Sequence, residues 1–110
     1  MTLMIQPDPA WKTNDLLANI LIHCRNDQRV QFLVEPRADS HVVQRLRVAL
    51  SRSRNRNRKQ NKPVFEFTLR HSIHPYTKEG KRWSCIVMWI ERQSHHIQRE
   101  MLDDLMSRDS

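Results

Sequence analysis

Apolar residues recur along this chain at two periods, one near 3.6 and one of two, and their succession predicts the order α-β-α-β-β-α. Residues 1–12, with Pro7, Pro9 and Trp11, read as an extended arm ahead of a single domain over 13–110. From Asn14, the positions Leu16, Leu17, Ile20, Leu21 and Cys24 share one face of a helix, with Thr13 or Asn14 as N-cap and Asp15 in the first turn. Asn26-Asp27 breaks that pattern. Val30, Phe32 and Val34 then alternate with Gln31, Leu33 and Glu35 as a short strand ending at Pro36. Asp39-Ser40 offers the next N-cap, and Val42, Val43, Leu46, Ala49 and Leu50 form a second helical stripe. Between Leu50 and Pro63 there is no apolar residue, and the interspersed Ser and Asn compete for backbone hydrogen bonds. The helix is therefore expected to fray after about Arg54.

Val64–Ile73 is the clearest strand, with Phe65, Phe67, Leu69 and Ile73 on one face and Glu66, Thr68, Arg70 and Ser72 on the other. A loop over 74–82, punctuated by Pro75 and Gly80, leads to a second strand, Trp83–Glu91, whose two alternating sets are both largely apolar. Such a strand asks for cover on both faces. Ser94 caps a last helix with Ile97, Met101, Leu102, Leu105 and Met106 facing inward. The expected fold is a small α+β domain, a three-stranded and mainly antiparallel sheet with helices packed on it. Its core is expected to include Val43, Leu46, Phe67, Leu69 and a buried Trp89.

Charge changes the picture. The chain has 110 residues, 19 of them Lys or Arg and 12 Asp or Glu, for a formal charge of +7. Eight of those cations, Arg45, Arg47, Arg52, Arg54, Arg56, Arg58, Lys59 and Lys62, lie between Ser40 and Phe65 with no carboxylate among them. The rest of the chain is nearly balanced, so the positive excess belongs to the segment 45–62. Charge of one sign repels itself unless a polyanion neutralises it, and solubility alone is served by mixed signs. The expected partner is nucleic acid, DNA or RNA, held by its phosphates. Arginine suits that task through bidentate contacts and stacking, and the segment resembles in composition the arginine-rich stretches that fold on RNA or lie along DNA backbone. Flanking or within the 74–82 loop, Arg70, Tyr76, Lys78, Lys81 and Arg82 supply the mixture of cations and rings that tracks phosphate and stacks on bases.

Other chemistries find less support. A single glycine leaves no phosphate-binding loop or dinucleotide fingerprint. His71, His74 and Cys85 are the nearest approach to a zinc set, but no tight ligand pair accompanies them, so neither metal nor cofactor is expected. The carboxylates show no spacing that would converge on Mg²⁺ as in a nuclease, and no enzyme is expected. Cys24 and Cys85 fall on apolar faces and read as core residues. The longest apolar stretches are too short to span a bilayer, and no signal peptide opens the chain, so a reducing cytoplasmic compartment is expected. The strand apolar on both faces points to a two-fold dimer. A different class of function is also open: an adaptor or inhibitor that docks on a host protein through the sheet or the acidic last helix. Either reading suits the small accessory or regulatory factors of phages and mobile elements.

Overall fold

The computed structural model describes residues 2–24, 28–64 and 67–92. It is a small α+β domain whose strands are β1 (Thr2–Met4), β2 (Arg29–Val34), β3 (Phe67–Lys78) and β4 (Lys81–Arg92). Its helices are α1 (Thr13–Cys24) and α2 (Asp39–Lys59), the latter entered through a 3-10 turn at Pro36–Ala38. The sheet has four strands in the order β1-β2-β4-β3 and is mixed, where three antiparallel strands were expected. The added strand comes from the N-terminal arm. Leu3 pairs in parallel register with Val30, and the Ile5 N–H donates to the Gln31 carbonyl at 2.9 Å. Burying Ile5 gives the arm its anchor.

One face of the sheet holds the core. Val30 and Phe32 of β2, Leu69 of β3 and Ile86 and Met88 of β4 meet Leu17, Ile20 and Cys24 of α1 and Val43, Leu46 and Leu50 of α2. Register makes this set consistent: Val30 lies opposite Met88, Phe32 opposite Ile86 and Leu69 opposite Ile90, so all point the same way. Both helices therefore pack on that face. Trp83, Cys85, Val87 and Trp89 point to the other, and Trp89 is only half-buried, not the core residue expected. Phe67 is likewise half-buried at the sheet's margin. The expected helix after Ser94, and Phe65 and Glu66, lie outside the described residues.

Three boundaries moved, each for a local reason. β3 and β4 continue through the expected 74–82 loop, pairing from Phe67 opposite Arg92 down to Lys78 opposite Lys81. The two residues left over, Glu79 and Gly80, have φ of 53° and 75°. Positive φ at both central positions is the type I′ turn, whose twist matches the strands it joins. Pro75 is tolerated because β3 is an edge strand and needs no donor on its outer side. Beyond Val34 opposite Ser84, this hairpin runs on without β2 beside it.

α2 reaches Lys59 without fraying. Its end is a Schellman motif: Lys62 N–H donates to the Asn57 carbonyl at 2.8 Å and Asn61 N–H to Arg58 at 3.1 Å. Asn61 takes the left-handed conformation this requires, at φ 54°, and Pro63 follows. At the other end Asp39 is the first helical residue, not the N-cap. Its carboxylate instead accepts the Ser84 hydroxyl at 2.9 Å and the Ser40 N–H at 2.6 Å, which hold it below the usual carboxylate range.

Candidate nucleic-acid interface

A helix that persists to Lys59 sorts its cations by angle. Residues three, four or seven apart share a flank, so Arg45, Arg52, Arg56 and Lys59 form one row and Arg47, Arg54 and Arg58 another. The two rows straddle the apolar stripe of Val43, Leu46 and Leu50 and have different surroundings.

The second row lies on the β3 side, where Arg47 and Arg54 are used by the fold. The Arg54 guanidinium donates from Nη2 to the Phe67 carbonyl, and its Cζ lies 4.8 Å from the centre of the Phe67 ring. Its Nε is buried with no partner among the described residues. Arg47 Nη2 donates to His71 Nδ1 at 2.7 Å. Partial burial, and then the Arg47 charge, push the His71 pKa down, keeping the ring neutral and able to accept. Arg58 donates to Asn55 Oδ1 at 3.4 Å. Arg54 is thus packed against the sheet.

The first row is free to act. Arg45, Arg52 and Arg56 are exposed and line a groove of about 1100 Å³ between α2, α1 and the arm. Its floor is apolar, formed by Leu16, Leu21, Val42 and Ala49. Trp11 and Lys12 stand on its far side, two residues the charge pattern did not single out. Among the described residues no carboxylate pairs with Arg45, Arg52 or Arg56, and the ion pairs fall elsewhere, on Arg70–Glu91 and Lys81–Glu35. Lys59 and, past the helix end, Lys62 extend this charge into solvent. Comparison with known protein families and with curated proteins returns no match.

The hairpin cations are elsewhere. α2 begins beside Ser84 and its later turns reach Phe67, so it runs antiparallel to β3. The Arg-rich end of α2 and the tip carrying Lys78 and Lys81 therefore lie at opposite ends of the sheet. Arg70 is on the face away from the helices, in a 2.6 Å ion pair with Glu91. Tyr76 lies opposite Trp83 on that same face and is 42 % exposed. Lys81 is held 3.0 Å from Glu35, with its ammonium 4.3 Å from the centre of the Trp83 ring. Arg82, opposite Thr77, projects to the helix side of the projecting hairpin. Arg29, unremarked in the charge pattern, lies 4.3 Å from the centre of the Trp89 ring.

His71 and His74, three apart on one strand, face opposite sides of the sheet. His74 lies directly opposite Cys85, but His71 does not join them, and among the described residues no group of three potential ligands gathers. Cys24 and Cys85 are free thiols with pKa values raised by burial, that of Cys24 to about 11. Among the described residues no helix is long and apolar enough to cross a membrane.

Proposed function

We propose that this protein binds nucleic acid through phosphate contacts along the free flank of α2. The observation that carries the reading is the row Arg45, Arg52, Arg56 and Lys59 on one side of a capped helix, with no carboxylate partner on the three arginines among the described residues. From Arg45 to Lys59 the row spans about 21 Å at 1.5 Å per residue. A row of that length meets several successive phosphates, and an exposed helix of this width fits a major groove or crosses a backbone. Placing cations in the last turns also agrees with the helix dipole, which favours positive charge there.

Four phosphate contacts on duplex DNA give a fall of log K with log[salt] of about −3 to −4. Fluorescence anisotropy over a salt series reads this slope. Replacing Arg45, Arg52 and Arg56 together by Ala is expected to lower affinity at least about tenfold and flatten the slope by about two to three. The fold is expected to survive, because none of the three is buried. A salt-independent affinity, or one unchanged in the triple variant, overturns the reading.

A further inference from the structure

The face of the sheet turned away from the helices carries Tyr76, Trp83, Val87 and Trp89, and among the described residues no element packs on it. Each tryptophan there has a cation over its ring, Arg29 on Trp89 and Lys81 on Trp83, both at 4.3 Å. We propose that this face is a stacking platform for an unpaired strand of nucleic acid, its bases lying on Trp83 and Trp89 and its phosphates on Arg29 and Lys81. The proposal rests on the nucleic-acid reading above and names the form of the ligand that this second surface takes.

Complementary charge selects the occupant. Arg29, Arg70, Lys78 and Lys81 surround the rings, against Glu91 and Glu35, which pair with Arg70 and Lys81. A second copy of the chain would bring this positive surface against its own image, whereas a polyanion neutralises it. Flat rings on an open sheet need bases whose faces are free, which a duplex does not offer. Magnitudes then decide between cation and base. An exposed cation over a ring is worth a factor of roughly two to five, and a base stacked on a ring roughly five to 150. An arriving base therefore displaces the cation, which moves to the adjoining phosphate. Trp83 and Trp89 are six residues apart on β4, about 20 Å, and Tyr76 broadens the Trp83 end as its cross-strand neighbour. That length accommodates several nucleotides.

The test uses the full chain with Trp11→Phe, so that emission comes from Trp83 and Trp89. Oligouridine, oligothymidine, a duplex of equal length and inorganic polyphosphate are titrated in turn. Single strands are expected to quench the emission, and polyphosphate is expected to bind without that quench. Comparison of the uridine and thymidine strands separates RNA from DNA as the source. In the chain with Trp83→Leu and Trp89→Leu, labelled single strands are expected to bind at least about tenfold more weakly, with duplex affinity retained. The quench in the chain that keeps both tryptophans reads stacking even where the double variant fails to fold. Emission unmoved at saturation overturns the platform, as does single-strand affinity unchanged in a folded double variant. So does a particle of twice the chain's mass with both rings shielded from acrylamide, or a monomer whose rings are already shielded by the chain itself. If neither nucleic acid nor polyphosphate binds at low salt, it is the underlying nucleic-acid reading that fails.

Discussion

Arg52 and Arg54 are two residues apart in the same basic run, and their environments give them opposite roles. Arg54 donates to the Phe67 carbonyl and covers its ring, while Arg52 is exposed on the groove side. A hydrogen bond from a charged group contributes about 1.5–3 kcal/mol, partly offset here by the buried Nε, which has no partner among the described residues. Arg54→Ala is expected to lower stability by about 1–3 kcal/mol in urea unfolding, and Arg52→Ala by less than about 0.5 kcal/mol. Equal effects would mean that Arg54 is not packed as described. A second test at this scale uses His71, whose neutral ring accepts from Arg47 and whose pKa is lowered. A group that protonates more easily when unfolded contributes stability that is full above its unfolded pKa, about 6.5, and lost as pH falls toward the folded value. Its imidazole signals in an NMR titration are expected to have a midpoint below about 6.5, with stability falling over the same window. A midpoint above that value would exclude the Arg47 contact. The charge run itself was legible in the sequence, but the division of labour within it was not. Composition counts arginines, and only the angle each takes around a helix says which one meets the sheet.

At the scale of elements, periodicity found α1, β2, the start of α2 and the pairing of β3 with β4, since each buries a regular apolar set. It missed what is held by turn chemistry. The end of α2 lacks apolar residues, yet Asn61 followed by Pro63 is a helix stop that a reading by hydrophobic stripe overlooks. β1 escaped notice because three residues offer too short an alternation, and its pairing partner lies 27 positions away, Leu3 against Val30. Trp89 was misplaced for a related reason: a strand apolar on both faces does not reveal which face the helices choose. That choice follows from the register with Val30 and Phe32. In the hairpin, Glu79 occupies a left-handed position that suits Asn and strains Glu. Glu79→Asn creates the Asn-Gly pair favoured in type I′ turns and is expected to raise stability by about 0.5–1 kcal/mol, seen as a higher melting temperature. A lower melting temperature would argue that Glu79 makes a contact outweighing its strain.

Across the described residues, positive charge meets apolar surface twice: a basic helix flank beside an apolar groove on one side of the sheet, and an aromatic face rimmed by cations on the other. The two candidate occupants of that second face respond to salt with opposite sign. A polyanion is held by release of counterions, so its affinity falls steeply as salt rises. Two copies pressed together through the same face would bring Arg29 and Lys78, the cations there that have no ion pair among the described residues, against their counterparts, and salt screens that repulsion with a Debye length of about 10 Å at 0.1 M. The dimer suggested by the apolar strand would therefore tighten as salt rises, driven by burial of Trp83, Val87 and Trp89. Sedimentation velocity on the protein alone from low to high salt, beside anisotropy with a single strand, separates the two. The expected outcome is a monomer at low salt, where strand binding is strongest, and any self-association growing as that binding is lost. A dimer that is firm at low salt and dissolves on adding salt would place its interface elsewhere, between surfaces of opposite charge. The open sheet face would then remain available to a ligand in both subunits.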